Sequence, residues 1–196
     1  MPFDEGTFDA AYAFDATCYA PDLTHLYNQI YRVLKPGATF GQLDWVMTEK
    51  FDDENKDHVG VRNRIERGNG ISNMPLIAGV RSSFAEAGFK IVCDEDTALR
   101  SKPGPWYYAP VGDLTYTVDW EDWWLVFKMH PLVRKIWYGL FWFLMKIHIL
   151  DPEVISVMDT MAYCVDSVVE GGRKGIFTPT WMLVATKTDG RRKKSS

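Results

Sequence analysis

Met1-Pro2-Phe3-Asp4-Glu5-Gly6-Thr7-Phe8-Asp9-Ala10-Ala11-Tyr12-Ala13-Phe14-Asp15-Ala16-Thr17-Cys18-Tyr19-Ala20-Pro21-Asp22 opens the chain, and its reading decides the fold. Asp4, Glu5 and Gly6 are turn residues. Residues 8–14 form an apolar run of strand length, too unbroken for a strand with one wet face, so a parallel strand buried on both faces is predicted. Asp15 places a carboxylate where that strand ends, and Pro21-Asp22 sits where a helix would start. In open α/β sheets ligands bind beyond the carboxyl ends of the strands, so Asp15 to Tyr19 fall where chemistry belongs. The same pattern also suits an ordinary α/β turn.

Outward from that stretch the period changes. Leu23, Leu26, Tyr27, Ile30, Tyr31 and Leu34 share one face of a predicted helix over 22–34, ended by Lys35-Pro36-Gly37. Residues 39–47 read as a second strand, with Phe40, Leu43, Trp45 and Val46 suited to burial on both faces. Asp44 lies inside it near the carboxyl end; a buried carboxylate without a partner is costly, so it should be paired, open to a pocket or protonated. A charged loop over 51–56, a helix over 58–67, a break at Gly68-Asn69-Gly70, a helix over 76–87 closed by Gly88 and a strand over 89–94 follow. Phe177–Lys187 reads as a last strand behind the turn residues Gly171, Gly172 and Gly175.

The chain has 196 residues, 46% of them hydrophobic, enough for a sizeable core. A net charge of −4 argues against a nucleic-acid binder. Cys18, Cys93 and Cys164, odd in number and far apart, suggest reduced thiols in a cytosolic setting, and they form no metal-ligand pattern. No signal peptide is read at the N-terminus. The aromatic share is 14%, concentrated between Trp106 and Trp142, which suits a large apolar ligand, a membrane contact or a well-filled core.

Several motifs in order resemble a known family. Met1-Pro2-Phe3, the run Phe8-Asp9-Ala10-Ala11-Tyr12-Ala13 and Arg32-Val33-Leu34-Lys35-Pro36-Gly37 look like the second half of a class I S-adenosylmethionine-dependent methyltransferase. Asp15-Ala16-Thr17-Cys18-Tyr19-Ala20-Pro21 is closer still to the sterol 24-C-methyltransferases, as are Trp45-Val46-Met47-Thr48, Gly68-Asn69-Gly70-Ile71 and Pro105-Trp106-Tyr107-Tyr108. The resemblance implies an α/β fold: the C-terminal half of a Rossmann-like methyltransferase sheet, with a mainly helical sterol-binding insertion before the last strand. It divides the chain into a partial methyltransferase domain (1–96), a substrate-binding region (97–176), a returning strand (177–188) and a basic tail (189–196). It also implies that the chain starts just before the family's fourth strand, without the glycine-rich turn and acidic residue that hold the cofactor. Phe8–Phe14 would then present an apolar edge, and such a chain would hold half a cofactor site and methylate poorly alone.

By that resemblance the activity is methyl transfer from S-adenosylmethionine to the side-chain double bond of a sterol or related triterpenoid. Asp15, Tyr19 and Asp44 become candidate catalytic residues; Phe3, Asp15, Ala16 and Thr17 candidate cofactor contacts; and Cys18, Trp45, Asn69, Trp106, Tyr107 and Tyr108 candidate substrate contacts. The chemistry asks for aromatic faces that stabilise a carbocation and for a base. Asp15 replaces the family's usual glutamate, Tyr19 its histidine, and Asp44 stands where glutamate is common; these departures leave the ordinary membrane sterol and a related triterpenoid both open as acceptor. A non-catalytic lipid-binding or partner module, and a methyltransferase for another apolar acceptor, stand as alternatives.

The run over 137–150 is the most apolar of the insertion but too short to span a bilayer, which needs ~20 apolar residues. It reads as a helix packed inside the domain or over a sterol pocket, or as an interfacial helix behind Lys128, His130, Arg134 and Lys135. The tail Arg191-Arg192-Lys193-Lys194-Ser195-Ser196 reads as disordered and resembles an endoplasmic-reticulum retrieval signal. The expected location is the cytoplasmic face of the endoplasmic reticulum membrane or a lipid droplet, with self-association open to the chain.

Overall fold

The computed structural model describes residues 1–100 and 104–188; the reading of the 189–196 tail lies outside them. The chain divides into two compact units.

The first unit takes Met1–Phe51, Ser72–Thr97 and the chain from Thr178. It holds a four-stranded sheet in the order β1-β2-β4-β3, from β1 (Phe8–Phe14), β2 (Leu34–Met47), β3 (Phe89–Asp96) and β4 (Phe177–Lys187). β1 runs parallel to β2, with Phe14 opposite Leu43; β3 and β4 are antiparallel, with Phe89 opposite Lys187 and Asp96 opposite Trp181. The insertion between β3 and β4 is therefore where the resemblance implied it.

α1 (Leu23–Val33) starts because the Asp22 side chain accepts the His25 N–H at 2.8 Å, satisfying an orphan donor of the first turn. It buries Tyr27, Ile30 and Val33 on the sheet. α3 (Ile77–Glu86) buries Ile77, Val80 and Phe84 in the same core. Tyr27, Phe40, Phe84 and Phe89 meet there, with ring centroids 4.3 Å apart for Tyr27–Phe84 and 5.5 Å for Phe84–Phe89; such tilted pairs add to area burial. Lys187 ties β4 to this layer through the Tyr31 and Leu34 carbonyls, each at 2.7 Å.

Two expectations are corrected. β1 is parallel but not buried: Tyr12 is 78% and Phe14 63% exposed, because β2 is the strand's neighbour on one side and no strand covers the other among the described residues. β2 is not buried evenly on both faces. Phe40, Gln42, Asp44 and Val46 alternate inward while Leu43 and Trp45 are half-buried, since the helices cover one face more fully.

The second unit takes Asp52–Ile71 and Ala98–Phe177. It thus includes α2 (Lys56–Asn69), which lies inside the range read as methyltransferase domain. The reason is local packing of α2 on α7 (Glu153–Lys174). A Cβ on Gly68 would meet Cys164 Sγ at 3.0 Å, the Cys164 thiol donates to the Gly68 carbonyl, and Arg64 pairs with Glu170 and Lys174 with Asp57. Positive φ belongs to Gly70 alone of the Gly-Asn-Gly run, where it caps α2. α4 (Tyr108–Val111), α5 (Trp120–Met129) and α6 (Pro131–Lys146) complete the unit. Tyr108 is buried against α5, its hydroxyl donating to Asp122 Oδ1 at 2.9 Å. The apolar run over 137–150 starts within α6, where no residue is fully buried, and continues past the helix end at Lys146.

Candidate functional site

The carboxyl end of β1 carries a dense polar construction. Asp15 continues the ladder, its N–H donating to the Leu43 carbonyl at 2.9 Å, and then turns the chain with φ +47°. That left-handed conformation is uncommon outside glycine, and aspartate is among the residues that tolerate it. The turn drops Thr17 and Cys18 into the interior and leaves Asp15 and Tyr19 exposed.

Asp44, only 1% exposed, holds that loop. Its Oδ2 accepts the Thr17 N–H at 2.6 Å, the Thr17 hydroxyl at 2.5 Å and the Cys18 N–H at 3.2 Å; its Oδ1 accepts the Trp45 N–H at 2.9 Å. A buried carboxylate needs such donors, so the pairing expected from sequence is what the structure contains. Gln42 and Tyr27, which sequence reading passed over, extend the network: the Tyr27 hydroxyl donates to Gln42 Oε1 at 2.9 Å, and the Thr17 hydroxyl lies 3.3 Å from the same oxygen. A glutamine in the middle of an apolar strand was the available signal.

Electrostatics separate the roles. Burial, and then the Asp44 charge, push the Asp15 carboxyl above its ordinary value, against a hydrogen bond from the Trp45 side chain. Burial and the charges of Cys18, Asp15 and Asp44 push the Tyr19 phenol up. Burial pushes the Cys18 thiol far up, with a hydrogen bond to Asp44 acting in the same direction, which makes Cys18 an inert packing thiol. Burial pushes Tyr27 up to about 12.

Beside this loop lies a cleft of about 410 Å³, within the range of small-molecule sites, between the start of α1 and α3. Cys18, Pro21, Thr24, Pro75, Leu76 and Gly79 line it. A second hollow, about 380 Å³ and mostly apolar, runs along the open side of β1 past Ala11, Ala13, Ile30 and Phe40 to Ala16 and Thr17.

Asp15, Ala16, Thr17, Cys18, Tyr19, Asp44 and Trp45 therefore gather at one strand end. Phe3 does not join them: its ring stacks edge-on against Phe8 at 5.0 Å, and Arg32 holds its carbonyl at 2.8 Å, with the length of β1, about 20 Å, in between. The remaining candidates belong to the second unit. Asn69 donates back to the Ile65 carbonyl at 2.9 Å, inside its own helix. Trp106 and Tyr107 pack edge-to-face at 5.4 Å over Gly172, and Trp106 also meets Phe177 at 6.0 Å.

Residues 124–188 match the family described as sterol methyltransferase C-terminal, and residues 1–41 match a methyltransferase domain. The sterol 24-C-methyltransferase of Neurospora crassa is 39% identical over 187 residues, 95% of this chain and 49% of that protein. That of Saccharomyces cerevisiae is 34% identical over 189 residues, covering 96% and 49%. Among solved structures, geranyl diphosphate C-methyltransferase from Streptomyces coelicolor A3(2), in complex with Mg2+, geranyl diphosphate and S-adenosyl-L-homocysteine, matches with a TM-score of 0.59 at 14% identity, over 96% of this chain and 51% of that one. A geranyl diphosphate methyltransferase with geranyl diphosphate and sinefungin matches at 0.60 and 12% identity, over 96% and 49%. The fold is that of part of a class I methyltransferase, and the chain spans about half the length of the curated relatives it matches. Along nearly its whole length it is similar to the sterol 24-C-methyltransferases.

Proposed function

We propose that this chain, as a relative of the sterol 24-C-methyltransferases, serves methyl transfer from S-adenosylmethionine to the side-chain double bond of a sterol or related triterpenoid. The observation that carries this reading is Asp15: a carboxylate held at a strand's carboxyl end by a loop that Asp44 pins from inside. An anionic group in that place fits a cationic sulfonium, so the residues present fit the cofactor. When bound, S-adenosylmethionine supplies an electrophilic methyl carbon.

The chain's own residues then divide the work. Asp15, with its proton affinity raised, sets negative charge near the reacting centre and takes the proton that the acceptor side chain finally loses. The Trp45 ring offers a face to the transient cation without trapping it. Tyr19 stays protonated through the neutral range and acts as a dipole rather than a base. Asp44 touches no reactant and acts as a positioning residue. A sterol or triterpenoid acceptor lives in membranes, so the cytoplasmic face of the endoplasmic reticulum or a lipid droplet is the location this reading favours.

The test is a chimera in which this chain replaces the 187 matched residues of the Neurospora relative. Labelled S-adenosylmethionine is supplied with a membrane sterol and with a triterpenoid. Methyl transfer to either is expected, with Asp15→Asn lowering kcat more than KM. A chimera that folds and binds S-adenosylmethionine yet labels neither acceptor would sink the reading. Sterol binding by that inactive chimera would favour the lipid-binding module instead.

A further inference from the structure

We infer that the outer face of α6 is a docking surface for an anionic lipid bilayer. This stands whether or not the chain transfers methyl groups.

The residues of α6 read Pro-Leu-Val-Arg-Lys-Ile-Trp-Tyr-Gly-Leu-Phe-Trp-Phe-Leu-Met-Lys, and none of the sixteen is buried. A helix this apolar ordinarily buries a face. Here Leu132, Ile136, Leu140 and Phe143, spaced i, i+4, i+8 and i+11, form one stripe, with Leu132 63% and Ile136 69% exposed. Solvent-facing apolar stripes of this size mark interaction surfaces. The exposed rings of Trp120, Trp123 and Phe127 on α5 stand beside the exposed acids Asp119 and Glu121, so α5 is left outside this surface.

Charge selects the occupant. The charged residues of α6 are Arg134, Lys135 and Lys146, and none is acidic. Arg134 points to the opposite side and pairs with Asp166 of α7 at 3.1 Å. Lys135 and Lys146 border the apolar stripe, about 40–60° round the helix from Leu132. The Lys146 ammonium sits 5.4 Å from the Trp142 ring centre. A tryptophan ring with a lysine lying over it suits the headgroup level of a membrane, where the ring enters the acyl boundary and the ammonium meets phosphate. A second copy pairing face to face would set Lys135 and Lys146 against like charges. The helix, about 24 Å long, is shorter than the ~30 Å apolar layer, and among the described residues no helix is long and apolar enough to cross a membrane. α6 would lie in the plane of the interface.

The experiment is flotation of the 196-residue chain with vesicles of phosphatidylcholine alone or with added phosphatidylserine, with tryptophan emission read alongside. The expected result is binding that is stronger on the serine lipid, weakens with salt and shifts the emission to the blue. Lys135→Ala and Lys146→Ala should each lower partition into anionic vesicles about fivefold. Ile136→Ser with Phe143→Ser should abolish partition into both vesicles. Tyr12→Ser with Phe14→Ser, an exposed aromatic pair of the first unit, should change nothing. Absence of binding to either vesicle overturns the inference, as does binding that neither α6 pair affects. A dimer that Ile136→Ser with Phe143→Ser returns to monomer, without vesicle binding, would make this face a contact between copies.

Discussion

Replacing Asp44 by alanine tests the construction of the strand end directly. The substitution removes the acceptor of the Thr17 N–H, the Thr17 hydroxyl and the Cys18 N–H, in a place where Thr17 and Cys18 are both buried. The Thr17 hydroxyl keeps Gln42 Oε1 at 3.3 Å, so two amides lose their partner outright, and the Trp45 amide loses Oδ1. At about 1–3 kcal/mol for each buried orphan, the loss is about 4 kcal/mol, a large share of the roughly 5–15 kcal/mol that holds a domain folded. With a urea dependence of about 2 kcal/mol per molar, the midpoint followed by far-ultraviolet circular dichroism should fall by roughly 2 M. Thr17→Val, which removes only the hydroxyl, should cost about 1 kcal/mol. In Asp44→Asn the carboxyl of Asp15, followed by carbon-13 NMR titration, should move down toward its ordinary value, because a neighbouring negative charge is gone. An Asp44→Ala chain within about 1 kcal/mol of the parent would refute the view that this carboxylate organises the loop.

Asp15 has a raised proton affinity in the folded state, so between its ordinary value and the raised one the folded chain binds more protons than the unfolded chain. Stability should therefore fall as pH rises through that window, and Asp15→Asn should flatten the slope in urea midpoints measured across it. Gly172→Ala brings a Cβ to 2.6 Å from Tyr107 Cδ1 and 2.7 Å from Trp106 Cζ2, and should cost about 1–3 kcal/mol with a changed near-ultraviolet spectrum. Cys18 should resist iodoacetamide in the folded chain and react only on unfolding, while Cys93 and Cys164, both half-buried, label earlier; mass spectrometry of the labelled peptides reads this.

Much of this protein is legible from residue order. The apolar stretch of β2, the helical spacing of Leu23, Leu26, Tyr27, Ile30 and Tyr31, and the run Phe177–Lys187 each depend on neighbours along the chain, and each gives an element of the expected type. The gathering of Asp15, Thr17 and Tyr19 was legible for the same reason: they follow one strand directly. Tertiary structure decided the rest, because exposure depends on what lies across space. An apolar run cannot report whether a neighbour covers it, so β1 reads as buried and is open, and α6, read as packed or interfacial, has no fully buried residue. Nor can sequence say that Asp44, nearly thirty residues on, places its carboxylate beneath the Thr17 amide, or that α2 packs on α7 a hundred residues later. Those pairings follow from strand register and from two small residues, Gly68 and Cys164, that let helices approach, and neither leaves a local pattern to read.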